Sequence, residues 1–166
     1  MITLQEICQY LDDLLMVEDF RDSCPNGVQV EGSQEVKKIA TAVSANLETI
    51  EAAVSQGVDC LVTHHGIFWE RESLRIERGK KKKIELLIKN DISLVSYHLP
   101  LDAHRDVGNN WLAAKELGLK SLEPFGIIGG MSIGVKGSAG GVPRKKFQEK
   151  LELYYGQPAR AALGGP

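Results

Sequence analysis

Three short apolar runs, each followed by a helix-like stretch, constrain this chain more than any other feature. The runs are KIATAVSA (38–45), VDCLVTHH (58–65) and the first part of DISLVSYHLPLD (91–102). Between and after them lie NLETIEAAVSQG (46–57), KKKIELLIKN (81–90) and NNWLAAKELGL (109–119), whose apolar residues recur at helical spacing. Asn46 is placed to cap the first of these helices and Gly57 to end it; the third ends near Gly118. The runs are apolar nearly throughout and show no polar alternation. Strands of that kind are parallel and covered on both faces. The expected fold class is therefore α/β: a layered, mostly parallel sheet with helices on both faces, followed by an incomplete second half.

The flanks are less regular. Residues 3–17 form an amphipathic pattern with Leu4, Ile7, Leu11, Leu14 and Leu15 on one stripe. Thr3 followed by Glu6 predicts a capping box at its start. Pro25-Asn26-Gly27 is a turn signal. Beyond Phe125 the texture changes to GIIGGMSIGVKGSAGGVP, read as a linker into a hairpin or edge strand. Its glycines follow no phosphate-loop spacing. Pro143 suits the first turn of a further helix, PRKKFQEKLELYYG, and QPARAALGGP reads as a strand that begins and stops. The resulting division is an α/β metal-binding domain over 1–126 and the start of a second, related half over 127–166.

A chain of 166 residues with 43% hydrophobic content supports one compact domain, or one and a half. Its net charge of −2 gives no support to nucleic acid or an anionic membrane as a partner. The opening MITLQEICQY has an acid and no basic n-region, unlike a secretory signal. No apolar run approaches the roughly 18 residues of a membrane span. Cys8, Cys24 and Cys60 are odd in number, widely spaced and without a CxxC pair, which fits reduced thiols in the cytoplasm.

The chain has four histidines, and two of them, His64 and His65, are adjacent at the end of an apolar run. In a parallel α/β sheet, functional groups collect at the carboxyl ends of the strands. Asp102 follows the end of the next run, so all three are expected on one edge of the sheet. Neighbouring side chains on a regular strand point to opposite faces. Where Gly66 lets the strand break, the two rings can diverge by less and hold two ions a short distance apart. Two-metal hydrolytic sites set their ions roughly 3.5–4 Å apart. Imidazole with carboxylate suits zinc, iron, manganese, cobalt or nickel. His98 and His104 are the catalytic candidates. His98 is also compatible with packing in the sheet, and His104 with an exposed loop; either can hydrogen-bond a ligand or transfer a proton. RGKKKK (78–83) is a solvated helix start or an anion-binding patch, and Phe68 and Trp69 either line the site or cover the sheet edge.

Taken together, PNGVQVEG, VTHHGIFW and SYHLPLDAHRDVGNN resemble the Nif-three-like dinuclear metal-binding family, often labelled GTP cyclohydrolase I type 2 homologues. The likeness runs from near the amino terminus to about Phe125 and is nearest to the short bacterial members. It implies that His64 and His65 ligate separate ions of a dinuclear centre, two per subunit, and that Asp102 ligates one of them. It also implies a toroidal homohexamer with the metal sites facing an internal cavity. The family's remaining ligands are a histidine and a glutamate in a GHxxTE-like segment. These 166 residues contain no such segment, and no histidine follows His104.

The implied activity is that of a dinuclear metal-dependent hydrolase acting on a nucleotide. Water activated by the ions attacks C8 of a guanine ring while His98 or His104 protonates the leaving nitrogen. The alternative is a metal-binding scaffold or metal-handling protein without turnover. With two imidazoles and one carboxylate facing two mutually repelling cations, the chain alone is expected to hold at most one ion tightly, or two only when water or buffer anions supply the missing ligands. An interrupted second half should also leave apolar edges that favour association.

Overall fold

The computed structural model describes residues 1–162 and Gly164. Its contacts divide the chain into two compact units. The first takes Met1–Leu101 with Gly129–Met131, and the second takes Asp102–Ile128 with the residues from Ser132 onward.

The first unit is built on a four-stranded sheet. In chain order it contains β1 (Ile2–Thr3), α1 (Leu4–Leu15), a 3-10 turn (Val17–Asp19), β2 (Gly27–Val30), β3 (Glu35–Val36) and β4 (Ile39–Ser44). These are followed by α2 (Leu47–Ser55), β5 (Cys60–His65), α3 (Arg78–Lys89) and β6 (Ser93–Ser96). The sheet order is β2-β6-β5-β4, and β1 pairs separately with β3. The pairs β4–β5 and β5–β6 are parallel, as the apolar runs predict, with Leu61 opposite Leu94 and Thr63 opposite Ser96. β2 lies antiparallel to β6 with an irregularity between Val28 and Val30. The sequence shows only a turn there, because four residues carry too little pattern to announce a strand.

Alternation along β5 and β6 feeds two cores. Leu61 and Leu94 pack on one face with Ile50 and Ala53 of α2 and Ile84 and Leu87 of α3. Cys60, Val95 and Tyr97 pack on the other with Leu4, Ile7 and Leu15 of α1. Helices thus cover both faces, and the sheet is mostly parallel. The capping box predicted at Thr3 is present, and Asn46 caps α2 by accepting from the amide of Thr49. α3 begins three residues earlier than the apolar spacing suggests, at Arg78.

The β3–β4 turn is tied to β5 by a charge. The amides of Lys37 and Lys38 both donate to Asp59 Oδ2 at 2.8 Å, which holds its carboxyl below the usual range. A carboxyl with a lowered folded value stabilises fully above its unfolded value near 3.9 and loses that contribution as pH falls through the folded value. Asp59→Asn is therefore expected to flatten the acid limb of the stability curve below about pH 4. Urea unfolding at a series of pH values reads this directly. An unchanged acid limb would remove Asp59 from the account.

After β6 the chain enters α4 (Leu99–Ala103). The second unit adds α5 (Asn109–Glu116), β7 (Lys120–Ile128), β8 (Met131–Ser138) and α6 (Arg144–Tyr155). β7 and β8 form the hairpin that the glycine-rich stretch suggests. Both residues of its turn, Gly129 and Gly130, have positive φ (59° and 91°), as a two-residue hairpin turn demands. Pro143 stands one position before α6, as its cap. The strand expected in QPARAALGGP does not form over 157–162. The amide of Ala159 instead donates to Glu152 Oε1 at 3.0 Å, which folds this segment back on α6. Leu163, Gly165 and Pro166 lie outside the described residues.

Candidate metal centre

β5 delivers His64 and His65 to the carboxyl edge of the sheet and ends there, with Gly66 next. Their ring centroids lie 4.5 Å apart at an interplanar angle of 44°, so the two rings share one side where the strand stops. Gly66 leaves room at this break for a neighbouring side chain. A Cβ at that position would run into the carboxamide of Gln29. That carboxamide is pinned from two sides. Its Oε1 accepts from the amides of Ile67 (2.7 Å) and Phe68 (3.2 Å), and its Nε2 donates to the carbonyl of Pro25 at 2.9 Å.

His98, just beyond β6, completes the cluster. Its ring lies 4.9 Å from that of His64 and 5.7 Å from that of His65. One ligand nitrogen from each of the three half-buried imidazoles lies within 4.8 Å of those of the others. Two nitrogens on one zinc-sized ion at about 2.1 Å stand at most about 4.2 Å apart. The cluster therefore needs only a small closure to grip a single ion.

The hydrogen bonds around the rings set their tautomers. His64 Nδ1 lies 3.1 Å from the carbonyl oxygen of Tyr97, which can only accept, so Nδ1 carries the hydrogen and the lone pair falls on Nε2. His98 Nδ1 lies 2.8 Å from Asp22 Oδ1, with the same consequence. His65 Nδ1 lies 2.9 Å from the hydroxyl of Ser44, which accepts or donates and so leaves that tautomer open. Two of the three rings thus offer Nε2 in the form a divalent cation needs. Trp69 walls the cluster, edge-on to His98 at 5.1 Å and 6.0 Å from His65. Lys80 stands 5.5 Å over the Phe68 ring, so the first lysine of the basic run serves this wall.

Asp102 and His104 belong to the second unit. Asp102 lies on α4, where its Oδ1 accepts from Asn109 Nδ2 at 3.1 Å. His104 Nδ1 accepts the amides of Asp106 and Val107, each at 3.2 Å. Its neutral ring therefore carries the hydrogen on Nε2, the reverse of His98.

Asp22 stands behind His98, a contact that no sequence motif marks. Its side chain is 2% exposed. Burial works against its charge, but bonds from His98, Cys24 and Leu99 outweigh that and hold its carboxyl below the usual range. The available signal is the pair Asp22 and Asn26 bracketing Pro25, with Asp22 three residues ahead of the PNGVQVEG motif. The thiols contribute nothing of this kind. Burial raises Cys24 and pushes Cys60 up to about 12, so neither is a thiolate near neutrality.

A mostly parallel α/β layer with imidazoles gathered at its strand ends defines a class of candidate metal-binding proteins. The profile of the Duf34/NIF3 (NGG1p interacting factor 3) family matches residues 2–164, and the chain belongs to that family. The GTP cyclohydrolase 1 type 2 homolog of Chlamydia pneumoniae is 43% identical over 167 residues, covering 99% of this chain. The protein of that name from Archaeoglobus fulgidus is 40% identical over 162 residues, 94% of this chain. The chain spans about two thirds of the length of these curated relatives, 66% and 65% respectively. Among solved structures, TTHA1606 from Thermus thermophilus superposes with a TM-score of 0.84 at 36% identity, over 94% of this chain and 62% of that one. Reduced HcgD from Methanocaldococcus jannaschii gives 0.79 at 26% identity, over 92% and 60%. The histidine cluster is compatible with the divalent metal binding expected of such a protein, and no helix among the described residues is long and apolar enough to cross a membrane.

Proposed function

We propose that this chain supplies the histidine-rich part of the metal centre of a cytoplasmic, metal-dependent hydrolase of the GTP cyclohydrolase 1 type 2 homolog kind. The observation that carries the reading is the convergence of His64, His65 and His98, with lone pairs on Nε2 of His64 and His98. His64 and His65 are the ion-holding residues, and Asp102 is the carboxylate ligand. When bound, a divalent ion of the zinc, iron, manganese, cobalt or nickel group supplies Lewis-acid activation of water at neutral pH. His98 offers the lone pair of its Nε2 either to that ion or to a proton, and the first use excludes the second; His104, with its hydrogen on Nε2, is the proton donor. The nucleotide substrate rests on the relatives' names. The three cysteines are unpaired in disulfide terms, in keeping with a cytoplasmic setting. Self-association into a ring, the hexamer of the resemblance, is supported by β4: it is the edge strand of its sheet and leaves Val43 69% exposed.

The test is formate release from GTP by metal-loaded protein, for this chain and for a version extended at its carboxyl end to the relatives' length. The extended protein is expected to release formate in a metal-dependent manner, and the 166-residue chain only weakly. Stoichiometric metal with no release from either would overturn the hydrolase reading.

A further inference from the structure

The carboxylate of Asp22 meets four donors. Oδ1 accepts from the amide of Cys24 at 3.0 Å and from His98 Nδ1 at 2.8 Å, and Oδ2 accepts from the amide of Leu99 at 2.7 Å and Asn26 Nδ2 at 3.3 Å. The backbone amides can only donate. Asn26 is locked in the same sense, because its Oδ1 accepts the amide of His98 at 2.8 Å and turns its Nδ2 toward Asp22. Only a group that accepts at both oxygens satisfies this ring of donors, and a carboxylate is the one side chain that does so. His98 is thereby gripped twice, by backbone and by ring, and its Nε2 is the nitrogen left to face His64 and His65.

We infer that Asp22 is the positioning residue of the centre: it fixes His98 in the Nδ1–H tautomer and orients Nε2 toward the imidazole cluster, so that an ion there is met by three rings instead of two. This rests on the metal reading above for its consequence, but the orientation itself belongs to the metal-free protein. Carboxylates that receive the second nitrogen of a metal-facing histidine typically contribute 10- to 100-fold in metal affinity.

Two measurements test this. In metal-free protein, long-range ¹⁵N–¹H spectra of the imidazoles should show His98 protonated at Nδ1, and Asp22→Asn should shift that pattern while the other histidines keep theirs. Zinc titration should then show Asp22→Asn and His98→Ala each weakening binding by about 10- to 100-fold, with the double variant no weaker than His98→Ala alone. A merely structural Asp22 would lower stability but leave the affinity per folded molecule unchanged, which overturns the inference. So does a wild-type spectrum with His98 protonated at Nε2, a result that needs no variant to fold. If wild-type protein binds no zinc, the metal reading fails, and the inference is decided by the imidazole spectrum alone.

Discussion

His64→Ala and His65→Ala are each expected to weaken divalent metal binding by at least about 100-fold, the upper end of what losing even an outer-shell partner costs. Each substitution removes one of three rings whose nitrogens lie within 4.8 Å of one another. The fold should survive. Both side chains are half-buried at the end of β5, outside the two clusters of buried apolar residues. The hydrogen bond to the carbonyl of Tyr97 goes with His64 and that to the hydroxyl of Ser44 with His65, each worth about 1 kcal/mol. Equilibrium dialysis against zinc, paired with urea unfolding, separates the two effects. Binding that persists in either variant would place the ion elsewhere.

The second large effect is expected at Gly66, where the added methyl group meets the Gln29 carboxamide. Gln29 cannot swing aside cheaply, since it serves the amides of Ile67 and Phe68 and the carbonyl of Pro25 together. Losing that arrangement leaves part-buried amides without an acceptor, at about 1–3 kcal/mol for each group. Gly66→Ala should therefore cost about 2–4 kcal/mol and disturb the ring geometry of His65. Gln29→Ala removes the same acceptor from both amides and should cost about as much by itself, about 2–4 kcal/mol. The decisive result is the pair. With Gln29 already truncated, Gly66→Ala should cost much less, because the obstacle is gone. Additive losses in urea unfolding would show that the strain lies in the backbone and not in the Gln29 contact.

Much of this was legible in the sequence, for reasons that are local. β4, β5 and β6 announced themselves as apolar runs because both faces of the sheet are covered, and the caps at Thr3 and Asn46 act within three residues of themselves. The adjacent histidines were legible because a strand end at a glycine is a local event. What stayed hidden depends on distant partners. β2 is a strand only because β6 offers it an antiparallel edge. Asp22 acquires its role from donors more than seventy positions away, at His98 and Leu99. From its chain neighbours His98 reads equally as a core residue or a chemical one, since its surroundings alone determine that it joins His64 and His65. The tautomers of His98 and His104 were invisible for the same reason: each is set by which donors or acceptors face Nδ1.

The strand-end imidazoles His64, His65 and His98 are expected to form a one-ion site in this chain. A calorimetric titration of metal-free protein with zinc tests it most directly. One tight ion per chain is expected, because three neutral rings, even with the one carboxylate proposed at Asp102, bring too little negative charge to hold a second cation beside the first. That site should vanish in the His64→Ala and His65→Ala variants. No tight ion, or a tight ion that both variants retain, would contradict it.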